Sequence, residues 1–133
     1  QKLENKPFTI VGSGKQSRDF IHVTDVVRAF FAAAQKKNSN EIFNVATSKA
    51  KSINLLTKII GGKKINIPNR PGESFKSHAN ISKIVSKLKW KPNIRFEIGV
   101  KELIKNIEDW REAPLWNKKN IRQATKTWFK YLK

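Results

Sequence analysis

Thr9-Ile10-Val11-Gly12-Ser13-Gly14-Lys15-Gln16-Ser17-Arg18-Asp19-Phe20-Ile21-His22-Val23-Thr24-Asp25-Val26-Val27 runs from a β-type segment through a turn into a helix. Pro7 to Val11 is a short apolar run, and Gly12-Ser13-Gly14 after it reads as a turn. Phe20-Ile21-His22-Val23 is a second short extended piece. Thr24 is suited to cap a helix, with Asp25 in the first turn against the positive end of the helix dipole. The helix is expected over about Asp25 to Lys36. Val26, Val27, Phe30, Phe31 and Ala34 have the spacing of a buried face of it, and Asn38-Ser39-Asn40 ends it.

Downstream, Glu41 to Ala46 carries apolar residues at Ile42, Phe43 and Val45, the pattern of a strand covered on both faces in a parallel sheet. Ser52 caps a helix over Ile53 to Ile60 that stops at Gly61-Gly62. Lys64-Ile65-Asn66-Ile67 alternates like a strand with one wet face, and Pro68 to Gly72 is a loop. Asn80 starts a helix over Ile81 to Leu88, which ends before Trp90-Lys91-Pro92. A long helix is expected over Glu97 to Arg111, with Ile98, Leu103, Ile104, Ile107 and Trp110 along its stripe. Ala113-Pro114-Leu115-Trp116 breaks the chain. A last helix over Lys118 to Leu132 is expected to bury Ile121, Ala124, Trp128, Phe129 and Leu132.

At 133 residues the chain is long enough for one real core, and its 38% hydrophobic content suits a globular protein. No run of apolar residues is long enough to span a membrane, and the first residues do not read as a signal peptide. With no cysteine there is no disulfide framework and no thiolate metal site, and His22 and His78 lie far apart. A cytoplasmic location is the expectation. The net charge of +18 has two readings. It suits a polyanion-binding protein, yet lysine supplies 22 of the 28 cations, scattered along the chain beside 12 Asn and 15 Ile. All three residue types have AT-rich codons, so genome composition is enough to produce this profile unaided, and that reading, with an anionic small ligand, is preferred to a nucleic-acid role.

Chemistry-bearing motifs are sparse. The Gly12-Ser13-Gly14 pair lacks the third glycine of a dinucleotide fingerprint and does not lead directly into a helix. Tyr131 is the only tyrosine. Two clusters remain. Arg18 lies on a polar approach to a helix start, and its planar fork suits a bidentate phosphate contact; alternatively it pairs with Asp19 or Asp25 and only holds the loop. In Pro68-Asn69-Arg70-Pro71-Gly72-Glu73 a stiffened loop carries an arginine and then an acid. Arg70 suits a phosphate and Glu73 sugar hydroxyls; alternatively the two form a solvated pair of little energetic value.

Taken together, the run from Thr9 to Val27, Ile42-Phe43-Asn44-Val45-Ala46, Arg70-Pro71-Gly72-Glu73, Ala79-Asn80-Ile81-Ser82-Lys83 and Leu88-Lys89-Trp90-Lys91-Pro92 resemble the extended short-chain dehydrogenase/reductase family. Within it they are most similar to the NAD-dependent sugar-nucleotide epimerases and dehydratases of the UDP-glucose 4-epimerase type. The resemblance covers about residues 7 to 112. It implies an α/β fold: the C-terminal fragment of an extended Rossmann-type fold, with one or two sheet strands and a small helical substrate-binding domain. Residues 1–50 would be a remnant of the dinucleotide-binding sheet with its helix, and 51–133 the substrate-binding part. The resemblance also implies that Arg18 and Arg70 contact a nucleotide diphosphate, that Phe20 lies beside the nucleotide, that Glu73 bonds ribose hydroxyls and that Gln16 lies near the substrate. His22 is structural on this reading.

The same resemblance makes NAD the cofactor of the full-length family, with none expected to bind this chain alone. The family's Gly-x-x-Gly-x-x-Gly and Tyr-x-x-x-Lys segments are not in the sequence, so turnover by the chain alone is not expected. The partner expected is a sugar nucleotide, UDP-linked or similar. Apolar surface around Phe30, Phe31, Ile42 and Phe43 would then be uncovered, which implies self-association or docking on a missing N-terminal domain. The alternatives are a basic nucleic-acid-binding module and a non-catalytic regulatory remnant.

Overall fold

Two short parallel strands hold the molecule's first half to its second. In the computed structural model, which describes residues 1–36, 40–113 and 115–131, β1 (Phe8–Val11) pairs in parallel with β4 (Lys64–Ile67), Phe8 opposite Lys64 and Val11 opposite Ile67. Parallel pairing needs a long crossover, and it is supplied by everything between them. That crossover contains β2 (Ser17–Arg18), α1 (Val23–Ala34), β3 (Lys51–Ser52) and α2 (Ile53–Ile60), with β2 and β3 antiparallel. After β4 come α3 (Ser82–Leu88), α4 (Phe96–Lys105), a 3₁₀ turn over Ile107–Trp110, α5 (Lys118–Ala124) and α6 (Lys126–Tyr131). No described helix is long and apolar enough to cross a membrane.

Local chemistry sets the element ends. Ser52 accepts a hydrogen bond from Leu55 N at 3.1 Å and so caps α2, and Gly61, at φ 71°, closes that helix as expected. Asn80 accepts from Ser82 N at 2.9 Å just ahead of α3, which begins one residue later than expected, with Ile81 in the capping position. The cap of α1 is His22, whose Nδ1 accepts from Thr24 N at 3.3 Å. The helix therefore begins at Val23, and Thr24 lies inside it rather than capping it.

The core is built on α1 and the segment after α3. Ala29, Ile84 and Trp90 are buried, and Ile21, Phe43, Val45, Ile81, Val85 and Leu88 pack against them. Trp90 is 3% exposed. Burying a tryptophan this completely removes on the order of 150–250 Å² from water, worth about 4–6 kcal/mol. Its indole N–H donates to Asp25 O at 3.2 Å, so the polar end of the ring is satisfied as well. Asp25 itself is 0% exposed. Its carboxylate accepts from Arg28 Nη1 at 2.7 Å, Asn93 N at 3.0 Å and Ile94 N at 2.9 Å. The Leu88 to Pro92 stretch is thus pinned to the first turn of α1.

Several expectations need correction. Glu41–Ala46 forms no strand, because no strand lies beside it among the described residues and a strand exists only through its ladder. Ile42 is accordingly 88% exposed, while Phe43 turns inward, with Lys83 Nζ 5.3 Å from its ring centroid. Phe20–Val23 is likewise no strand; Ile21 packs on the core and His22 caps. The helix expected over 97–111 leaves α geometry at Asn106 (φ −102°, ψ 26°) and tightens into the 3₁₀ turn. The last helix divides at Thr125, whose hydroxyl donates to Ile121 O at 2.8 Å and competes for the helical carbonyl. Ala124 is exposed and Phe129 more than a third exposed, so this is no core stripe; Leu132, like Asn38, Ser39 and Pro114, lies outside the described residues. Among the described residues short strands number four, in two pairs, where one or two were expected. The face of α1 expected to be buried is also turned outward: Val27, Phe30, Phe31 and Ala34 are exposed, because the helix packs on the core through Asp25, Ala29 and Ala32 instead, and Phe30 at 73% and Phe31 at 66% exposed present uncovered apolar surface.

Candidate anion-binding site

Two loops that follow β1 and β4 meet at the same end of the parallel pair. In open α/β sheets this carboxyl end is where ligands bind. The turn after β1 is held by Gly12 N donating to Ile67 O at 2.8 Å and by Asn66 Nδ2 donating to Gly12 O. Gly12 has φ 56°, and a Cβ there would lie 1.8 Å from Asn69 Oδ1, so no side chain fits. The chain leaves this turn into β2 and not into a helix. Asn69 fills the space beside Gly12, and the Gly-x-Gly pair does not fit a dinucleotide pyrophosphate.

Arg70-Pro71-Gly72-Glu73 is a type II turn. Glu73 N donates to Arg70 O at 3.3 Å, Pro71 presets the second position, and Gly72 takes φ 72° at the third. Its last residue meets the first loop: Arg18 Nη2 lies 2.8 Å from Glu73 Oε1, and Arg18 Nη1 donates to Ser17 O at 2.9 Å. Arg18 therefore pairs with neither Asp19 nor Asp25, and Glu73 does not form a solvated pair with Arg70. Two polar atoms at this turn, Arg70 Nε and Glu73 Oε2, are buried with no partner. Such an atom costs roughly 1–3 kcal/mol unless something else satisfies it.

The remaining expected site residues lie close by in sequence but are engaged elsewhere. Gln16 donates its amide to Val11 O at 2.8 Å, and Phe20 stacks on Phe96 with centroids 5.2 Å apart. The structure thus brings Arg18, Arg70 and Glu73 together and ties Gln16 and Phe20 into the surrounding frame. Asp19 belongs to that frame too. Burial alone would raise its pKa, but the side chain and backbone N–H of Thr47, with the N–H groups of Ala79 and Ser48, outweigh this and hold the carboxyl below the usual Asp range. His22 packs against Gly99, where a Cβ would lie 3.0 Å from its ring, and serves structure.

Other residues were not anticipated. Trp128 donates its indole N–H to Pro71 O at 2.6 Å and lies with its ring centroid 5.8 Å from Arg70 Cζ. A cavity of about 800 Å³ opens beside Arg70, between the end of β4 and the helices α5 and α6. Lys118, Lys119, Arg122 and Lys126 line it. Their three- and four-residue spacing, one face of a helix, was the available signal in a chain whose lysines otherwise look scattered.

A profile of the NAD dependent epimerase/dehydratase family matches residues 1–46. A Methanocaldococcus jannaschii protein named "Putative UDP-glucose 4-epimerase" is 40% identical over 114 residues, which are 81% of this chain and 35% of that protein. The CDP-paratose 2-epimerase of Salmonella typhi is 31% identical over 82% of this chain and 34% of its own length. The crystal structure of the Thermotoga maritima UDP-glucose 4-epimerase with UDP-glucose superposes with a TM-score of 0.74 at 31% identity, over 84% of this chain and 38% of that one. The chain spans about a third of the length of the curated relatives it matches.

Proposed function

The chain belongs to the NAD-dependent epimerase/dehydratase family, and from that premise we propose that it binds the nucleotide diphosphate of a sugar nucleotide as the C-terminal part of such an enzyme. Arg70 holds phosphate oxygens and Arg18 adds a second guanidinium. Glu73 takes ribose hydroxyls on its free oxygen. Phe20 flanks the nucleotide, and Gln16 borders the substrate. Residues 1–50 then contribute to the dinucleotide-binding sheet, and 51–133 form the substrate-binding part.

One observation carries this reading: Arg70 Nε and Glu73 Oε2 are buried, unpartnered and set at the two ends of one rigid turn. A donor and an acceptor kept dry at this separation in sequence match a ligand that offers both phosphate oxygens and hydroxyls. The test is a titration. NMR of the full chain with UDP at physiological salt is expected to give saturable shifts centred on Arg18, Arg70 and Glu73. Arg70→Ala is expected to weaken binding roughly tenfold or more, the scale of a lost charge-assisted hydrogen bond. No response to UDP, with steeply salt-dependent binding of a short DNA duplex instead, overturns the reading.

The uncovered apolar face of α1, with Val23, Val27, Phe30 and Phe31 all exposed, supports self-association of the isolated chain. Sedimentation is expected to give a mass that rises with concentration and falls back in Phe30→Lys. A constant monomer mass would count against it.

A further inference from the structure

We propose that α5 and α6 form an anion-binding wall of this site, with Arg122 and Lys126 joining Arg70 on the phosphate oxygens of the ligand. The inference rests on the sugar-nucleotide reading and extends it to residues outside the motifs that carried that reading.

The first argument is charge. A diphosphate joining a nucleoside to a sugar carries one negative charge on each phosphate. Arg18 is already compensated by Glu73 at 2.8 Å. Arg70 supplies one free positive charge, so the second phosphate needs another source. The cavity beside Arg70 offers it. Lys118, Lys119, Arg122 and Lys126 line that space, and no acidic residue does. Among the described residues none of these four, nor Arg70, forms an ion pair, whereas Lys51 and Lys83 face Glu97 and Glu41.

The second argument is the wall's surroundings. Ile67, Pro68, Ile121 and Phe129 also line the cavity and make much of it apolar. A concave, low-dielectric surface with charge of one sign strengthens the field felt by an anion inside it. The wall is also tied to the turn it serves. Trp128 on α6 donates to Pro71 O at 2.6 Å and lies against the Arg70 guanidinium, so α6 and Arg70 keep a common frame. Lys118 and Arg122 lie one turn apart on α5, Lys126 opens α6, and all three line the same cavity.

Isothermal titration of the full chain with UDP, inorganic pyrophosphate and uridine tests this, using the wild type, Arg122→Gln/Lys126→Gln, Arg122→Lys and Arg70→Gln. Near-UV circular dichroism of each variant checks that α6 still packs. The double variant is expected to bind both UDP and pyrophosphate roughly tenfold more weakly per cation removed, with Arg122→Lys keeping most of the affinity. If the double variant binds UDP like the wild type while Arg70→Gln loses it, the wall is overturned and the sugar-nucleotide reading stands. If pyrophosphate binding depends on Arg122 and Lys126 but UDP binds no better than pyrophosphate, the wall stands and the nucleotide reading falls. No binding of either ligand by the wild type overturns both.

Discussion

Asp25 and Glu73 are both acids with an arginine within hydrogen-bond distance, yet they sit in opposite kinds of environment. Asp25, at 0% exposure, has donors on both oxygens, from Arg28 and from the backbone of Asn93 and Ile94. Glu73 has one oxygen on Arg18 and the other buried with no partner, and Arg70 at the far end of the same turn has a buried Nε in the same condition. A fully satisfied buried charge holds a fold together, because removing it strands every donor around it. A half-satisfied one adds little to folding, because its open oxygen offsets what its paired oxygen contributes. The two acids separate a closed hydrogen-bond cluster from an open one, and on the proposed function the open one is where a ligand binds.

The comparison is tested most severely at Asp25. Asp25→Ala strands two backbone N–H groups and Arg28 and is expected to cost about 3–5 kcal/mol in urea denaturation. A loss under 1 kcal/mol would show that the acid is no keystone. The carboxyl also predicts a pH dependence. Burial alone would raise its pKa, but hydrogen bonds from Ile94, Asn93 and Arg28 outweigh this and lower it. Its folded-state pKa lies below its unfolded value of about 3.9. The stability it contributes is full above that value and is lost as pH falls through the folded one. Asp25→Asn should therefore flatten the acid limb of stability against pH below about pH 4, with Asp19 keeping part of the slope.

Gly72→Ala comes next. Its φ of 72° suits glycine, and a side chain there is expected to cost about 1 kcal/mol of stability. UDP binding should fall by more than that stability loss implies, because the turn carries both Arg70 and Glu73. The smallest stability effect is expected at Glu73→Gln. Arg18 and Glu73 are both partly exposed, so the pair contributes about 0–1 kcal/mol and the urea midpoint should barely move. UDP affinity should still drop, and a Glu73→Gln variant that loses stability but not affinity would reverse the contrast with Asp25.

Much of the architecture was legible along the chain. The Ser52 and Gly61 caps, the alternation of Lys64 to Ile67 and the Asn80 start are local signals, and the structure follows them. Some misses are local, such as the His22 cap and the break at Thr125, but those that shape the site depend on neighbours remote in sequence. Glu41 to Ala46 has the composition of a buried strand but no ladder partner among the described residues, so it forms no strand and Ile42 lies outside. The stripe of α5 and α6 has the spacing of a core helix, yet it faces a cavity lined with cations. Arg18 looked equally ready to pair with Asp19 or Asp25, and it pairs with a residue 55 positions away.

Composition, caps and turn residues by themselves determined where this chain bends, where most of its helices begin and which short motifs identify its family, because those preferences act between residues a few positions apart. Only the tertiary structure decided that Asp25 is the satisfied acid and Glu73 the open one, and that four cations of α5 and α6 line one cavity with Arg70. Those outcomes depend on which donors and charges converge from distant segments, and spacing along one chain does not contain that information.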